Sequence, residues 1–318
     1  MKPKISIICP VFNAEKFIRE TIETIIPQTY KNWELLVMDG GSKDGTISII
    51  EQYKKEYPNI KCFSERDEGA WDAAWKGIDR VEGEFICFMY ASDGYVNNEW
   101  FQKCAEALDT DPSLSLVWGI PFDMTEEGKM LGPHFAYAQF LPKRTLAQTI
   151  RTYGLLMKRL DPRKIWRILK NKEYHKISSA ASMALKEEAL QKKEWFLYWL
   201  RTGLSFPDAN MVVSKKVFVD CTPRHVPGRR AIDTLHDFFF NFNSRGYFAK
   251  CLPIPANYGR IHATQATERF HDEIIGNRER YFRQLGDFGK ELKRRGTFSF
   301  VDKDKKPIQN LIFHSKDL

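Results

Sequence analysis

The chain has 318 residues, 43% hydrophobic and 28% charged, with 49 Lys and Arg against 41 Asp and Glu and a net charge of +8. This is the make-up of a soluble globular protein with room for one large domain or two smaller ones, and no stretch reaches the roughly 18 uncharged apolar residues of a membrane span. The positive balance suits an anionic ligand, an anionic membrane surface or nucleic acid, and does not choose among them.

The first apolar run, Ile5-Ser6-Ile7-Ile8-Cys9, reads as a strand and is too short for a signal peptide before Pro10 ends it. The expected location is the cytoplasm, at most against the inner membrane surface. Six cysteines (Cys9, Cys62, Cys87, Cys104, Cys221 and Cys251) form no CxxC pair, and several fall inside apolar runs, as buried thiols in a reducing compartment do. After the Pro10–Asn13 loop, residues 14–28 carry Phe17, Ile18, Ile22, Ile25 and Ile26 at helical spacing. A second strand over residues 33–38 runs into Asp39 and a Gly-Ser-Asp loop, and Thr46 opens the next helix. A third strand at 60–63, a helix at 70–81, a fourth strand at 84–90, a helix at 98–109 and a fifth strand at 114–120 follow. Strands alternating with helices predict a mainly parallel, doubly wound α/β sheet.

Beyond Pro133 the pattern changes. Residues 141–204 are basic and helical, and read either as a solvated insertion or as a surface for anionic lipid headgroups or a lipid-linked acceptor. A strand resumes at 211–213. A short aromatic helix at 236–245, a strand at 247–252 and a charged helix at 268–295 complete the chain. The expected organisation is a ligand-binding half over residues 1–125, a catalytic half over 126–265 carrying the insertion, and a helical extension over 266–318.

Three acids, Asp39, Asp67 and Asp93, stand at or just beyond strand ends. In an open α/β sheet those ends converge on one crevice, where ligands bind. Carboxylates beside a phosphate ligand repel it unless a divalent metal lies between them, so the three together favour a nucleoside-diphosphate site holding Mg²⁺ or Mn²⁺.

Four blocks carry a family resemblance. They are Ser6-Ile7-Ile8-Cys9-Pro10-Val11-Phe12-Asn13, then Pro27-Gln28-Thr29-Tyr30-Lys31-Asn32-Trp33-Glu34-Leu35, then Asp39-Gly40-Gly41-Ser42-Lys43-Asp44-Gly45-Thr46, and Ser64-Glu65-Arg66-Asp67-Glu68-Gly69-Ala70-Trp71-Asp72-Ala73. In this order and spacing they resemble glycosyltransferase family 2, inverting enzymes of the GT-A fold. The resemblance implies a Rossmann-like sheet with a helical insertion and C-terminal helices, and transfer of a sugar from a UDP-linked donor to a glycan or lipid-linked acceptor in cell-surface polysaccharide assembly. It implies that Pro10, Val11 and Asn13 line the base and ribose and that Asp39 and Asp67 contact the base. It also implies that Asp93 holds the metal bridging the phosphates.

The chain departs from the family where the fourth strand ends. The family reads D-x-D or N-x-D-D, whereas this chain reads Tyr90-Ala91-Ser92-Asp93, keeping only the last acid and leaving Ser92 beside the nucleotide. Trp75 also replaces the Asn of the family's A-x-N-x-G. Farther on, His236-Asp237-Phe238-Phe239 resembles the family's E-D helix, which makes Asp237 the expected general base with His236 able to influence it. Tyr258-Gly259-Arg260-Ile261-His262 resembles its Y-R-x-H signature, placing Arg260 on the diphosphate and His262 on the metal or phosphate. A nucleotide-sugar-binding module weakened in catalysis is the alternative, supported by the thinned acid motif. No nucleic-acid motif accompanies the basic charge, so a nucleic-acid partner is not expected.

Overall fold

The computed structural model describes residues 4–134, 137, 206–224, 235, 237–239, 241–242, 245–262, 294–301 and 307–314. The basic insertion expected over 141–204 and most of the helix expected over 268–295 lie outside these residues.

Strands β1 (Ile5–Val11), β2 (Trp33–Asp39) and β4 (Phe85–Phe88) are buried at every position. Continuous apolar runs of this kind belong to strands covered on both faces. The covering helices are α1 (Ile18–Ile25), α2 (Thr46–Glu56), α3 (Ala70–Arg80) and α4 (Trp100–Thr110). Helix α1 buries Ile18, Thr21, Ile22 and Ile25, one face at helical spacing. Helix α3 lies so close to the sheet that a Cβ on Gly77 would sit 2.7 Å from Ile8 Cγ2. The remaining strands are β3 (Ile60–Ser64), β5 (Gly94–Tyr95), β6 (Leu114–Met124), β7 (Met130–Pro133), β8 (Val212–Ser214) and β9 (Phe248–Arg260), with helix α5 (Lys215–Cys221) after β8.

The sheet runs β3-β2-β1-β4-β8-β6-β9-β5, with β7 on β6. Pairing is parallel from β3 to β4 and between β6 and β9, but β8 is antiparallel to both its neighbours. The sheet is therefore mixed, and β4 pairs directly with a strand that arrives more than 100 residues later. Two reversals across β8 leave β6 and β9 parallel to β4. The carboxyl ends Val11, Asp39, Ser64, Phe88, Met124 and Arg260 consequently share one edge, and the start of β8 joins them there.

The chain divides into two compact units: residues 1–131, 206–242 and 248–261, which hold this sheet, and residues 132–205, 243–247 and 262–318. In the second unit β10 (Thr297–Val301) and β11 (Pro307–His314) form an antiparallel hairpin. That corrects the expected helical extension for these residues. Gly296, at φ 75°, follows helical residues 294 and 295 at a dihedral that glycine adopts without strain, and the β-branched and aromatic residues beyond favour strand. Cys9, Cys87, Cys104 and Cys221 are buried, as expected, and Cys62 and Cys251 are partly buried. Among the described residues no helix is long and apolar enough to cross a membrane.

Candidate active site

Two loops at the carboxyl edge are laced together by main-chain donors. Gly40 N–H donates to Val11 O (3.0 Å), Asn13 N–H to Ser42 Oγ (2.8 Å), and Lys43 N–H to Asn13 Oδ1 (2.9 Å). Ala14 N–H reaches Thr46 Oγ1 at 2.8 Å. Asn13 takes φ 49°, a left-handed conformation that Asn tolerates better than most residues. Pro10 and Val11 are buried beneath, while Phe12, between Val11 and Asn13, leaves 63% of its surface in solvent.

Asp39 is only 1% exposed, and its carboxylate is wrapped by donors: Ser64 Oγ at 2.6 Å, Gly41 N–H at 3.1 Å and Ser42 N–H at 3.2 Å. It thereby shapes the loop that it terminates. Asp67 arrives from the β3–α3 connection, where its Oδ1 accepts Gly69 N–H at 2.8 Å. Burial raises its pKa above the ordinary carboxylate range; Asp72 and Asp39 add to that, and the Gly69 hydrogen bond and Lys76 oppose it. A Cβ on Gly40 would lie 2.5 Å from Asp67 Oδ2. Gly40→Ala should therefore push Asp67 away from Asp39 while leaving the fold intact. The expected result is a melting temperature near wild type and nucleotide affinity down by about tenfold, the scale of one lost hydrogen bond to a charged group.

Asp93 sits in the turn after β4. Its Oδ1 accepts Arg260 N–H (3.2 Å) and faces Ser92 Oγ (3.4 Å), and its carbonyl accepts Thr21 Oγ1 (2.7 Å). Burial pushes its pKa up to about 7, and the charge of Asp208 adds to the shift against the Arg260 hydrogen bond. Folded Asp93 thus keeps its proton to about pH 7, while an ordinary aspartate releases it near 3.8. Across that window the folded state binds more protons, so the metal-free chain should lose stability as pH rises. Asp93→Asn should flatten the decline, read as melting temperature against pH in chelator.

Arg260, expected at the diphosphate, has a side chain only 3% exposed. Its guanidinium pairs with Glu20 of α1 at 2.5 Å and donates to the carbonyls of Ser92 (3.3 Å) and Glu126 (2.9 Å). It stands behind the Asp93 turn as a brace. His262 follows β9 and belongs to the second unit. Asp237 is half-buried on a helical stretch, and Phe238 beside it packs on Phe218 of α5 at 4.8 Å. Phe239 packs on Phe206 at 5.3 Å, which sets this stretch against the segment leading into β8. His236 lies outside the described residues.

The sequence model of "Glycosyl transferase family 2" matches residues 6–176, more than half of the chain. The chain belongs to that family. It is 33% identical over 93 residues to the putative teichuronic acid biosynthesis glycosyltransferase TuaG of Bacillus subtilis, a stretch covering 29% of this chain and 37% of TuaG. It is also 33% identical over 134 residues to the putative glycosyltransferase EpsH of the same organism, covering 42% of this chain and 38% of EpsH. The matched stretch thus spans well under half the length of these relatives. Among solved structures, S. aureus TarS 1–349 in complex with UDP-GlcNAc aligns over 82% of this chain and 60% of that one, with a TM-score of 0.51 and 17% identity. The mannosyltransferase PcManGT from Pyrobaculum calidifontis, in complex with GDP-Man and Mn²⁺, aligns over 83% and 59%, with a TM-score of 0.50 and 16% identity. At those identities the likeness is one of fold, the GT-A sheet described above.

Two residues at this edge escape a reading of the sequence. Phe12 falls inside a recognised block but is not itself an acid or amide; what marks it is a large apolar side chain left in solvent beside the Asn13 loop. Asp208 has no motif. It precedes β8, and only the reversed direction of that strand brings it to the edge where the other acids lie.

Proposed function

We propose that the chain transfers a sugar, with inversion, from a UDP-linked donor to a hydroxyl of a glycan or lipid-linked acceptor in cell-surface polysaccharide assembly. The observation that carries this reading is the convergence of Asp39, Asp67 and the Asn13 loop on one sheet edge, with Gly40 leaving room for Asp67. Family membership supports the transfer chemistry. The teichuronic acid biosynthesis for which TuaG is named and the UDP-GlcNAc bound by TarS support the acceptor class and the nucleotide.

In this reading Asp39 and Asp67 hold the uracil ring, and Pro10, Val11, Asn13 and Ser92 line the nucleotide with the exposed Phe12 ring at its rim. Asp237 takes the proton from the acceptor hydroxyl as that oxygen attacks the anomeric carbon. The bond to the diphosphate oxygen breaks on the opposite face, and the configuration inverts. Arg260 acts through its main-chain N–H and its grip on Ser92, holding Asp93 in place. His262 is assigned to the metal or a phosphate on the family pattern alone.

The donor set suits a hard divalent cation, because it is built from carboxylate oxygen. Among the described residues no three His, Cys, Asp or Glu side chains form a metal-binding group, so Mg²⁺ or Mn²⁺ here would draw on Asp93, few other side chains and the donor's own phosphates. When bound, the cation offsets negative charge on the departing diphosphate.

Calorimetric titration with UDP, GDP, dTDP and ADP, with and without Mn²⁺, tests the reading. Preference for UDP supports it, and preference for GDP or another nucleotide keeps the transferase and changes its donor. Binding of none rejects the site. Binding of UDP with no turnover on any acceptor marks a binding module instead.

A further inference from the structure

The motif at the end of β4 has lost its first acid to Tyr90, yet the structure returns a carboxylate to that place. The Tyr90 hydroxyl donates to Asp208 Oδ2 at 2.9 Å, a contact between residues 118 positions apart. Tyr90 O in turn accepts Asp93 N–H at 2.9 Å, so one residue touches both acids.

The segment carrying Asp208 is built to stay where it is. Pro207 O accepts Asn210 N–H (3.3 Å) and Met211 N–H (3.1 Å). Fully buried Asn210 donates to Gly119 O and accepts Gly119 N–H, both at 3.1 Å, and donates to Asn257 Oδ1 at 2.7 Å. Phe206 is pinned against Trp118, Phe239 and Phe242. A turn locked to β6 and β9 in this way presents Asp208 without further ordering cost.

Neither carboxylate is bonded to a cationic side chain among the described residues. Asp208 accepts from Tyr90 and from Ala209 N–H (3.0 Å) and, among the described residues, pairs with no Lys, Arg or His. Asp93 commits Oδ1 to Arg260 N–H and Ser92, and its Oδ2 accepts no hydrogen bond. The nearby guanidinium is turned to Glu20 rather than to either acid. Strand β8 runs antiparallel beside β4 with Ile86 opposite Val213, so the residues just before β8 lie beside the turn after β4 that carries Asp93. Carboxylates drawn away from water are commonly paired with cations or coordinate metals, and among the described residues no cationic side chain is bonded to either of these two.

We propose that Asp208 supplies the second carboxylate of the divalent-cation site that Asp93 begins, and that the Tyr90 hydroxyl aims it in place of the missing strand-end acid. The inference rests on the nucleotide-sugar reading of the site, with donor phosphates and water completing the shell. Tyr90 is then a positioning residue and Asp208 a ligand drawn from a different part of the chain.

The test is Mn²⁺ binding, measured by calorimetry and by the EPR signal of free Mn²⁺ in the presence of saturating UDP, on wild type, Asp93→Asn, Asp208→Asn and Tyr90→Phe. Melting curves show that each variant folds. Asp208→Asn should weaken Mn²⁺ binding by about 100-fold, and Tyr90→Phe, which leaves the carboxylate but removes the group that orients it, by about tenfold. UDP binding without metal should be unchanged in both. If Asp208→Asn binds Mn²⁺ as wild type does while Asp93→Asn loses it, the inference is wrong. Wild type that binds UDP but no Mn²⁺ overturns it too, whereas wild type that binds no nucleotide at all sinks the underlying reading instead. Should Asp208→Asn fail to fold, the Tyr90→Phe result decides: an unchanged Mn²⁺ affinity rejects the inference.

Discussion

Asp237→Asn should leave UDP affinity within about twofold of wild type and cut turnover by about 10² to 10⁴, the usual contribution of a positioned base. The substitution is nearly isosteric, and the packing that holds this stretch comes from its neighbours. Phe238 and Phe239 are buried against Phe218 and Phe206, so the helical turn survives loss of the charge. What disappears is the proton acceptor. The loss should appear in kcat at saturating donor and acceptor, with the donor KM little moved, because an interaction made only in the transition state is being removed. Turnover at the wild-type rate would mean that another carboxylate takes the proton. Asp208, packed through Phe206 against the same stretch, would be the next to examine.

Asp39→Ala should act in the opposite sense. It should weaken UDP binding by roughly 100-fold, about 2 to 3 kcal/mol, because three donors lose their acceptor and the loop that grips the base loses its anchor. Ser64 Oγ and the N–H groups of Gly41 and Ser42 all converge on that one carboxylate. Part of the cost will fall on stability, since Asp39 is buried and each orphaned donor carries a desolvation penalty. Calorimetry of UDP beside a melting curve separates the two. Wild-type affinity in a folded variant would remove Asp39 from the base pocket.

These two variants and the cation test address different groups, and their expected signatures do not overlap. In the proposed reading Asp237 serves turnover, Asp39 nucleotide affinity, and Asp93 with Asp208 the metal. Gly40 belongs with the nucleotide set, because the space it leaves lets Asp67 approach the Asp39 loop.

The local pattern of the sequence determined a good deal. The buried runs at Ile5, Trp33 and Phe85, the helical spacing of Ile18, Ile22 and Ile25, and the Gly-rich loop after Asp39 were all legible because they depend on neighbours a few residues away. So was the convergence of Asp39, Asp67 and Asp93, which follows from parallel strands ending on one side. The hairpin over residues 297–314 was not read, since short alternating runs after a long charged stretch look like its continuation. Tertiary structure alone decided that β8 enters the sheet between β4 and β6 and runs backwards. It also turned Arg260 inward to Glu20, and it brought Asp208 to Tyr90 across 118 residues. Strand direction and long-range pairing are set by how the whole sheet buries its surface, and no periodicity within a window of the chain encodes them.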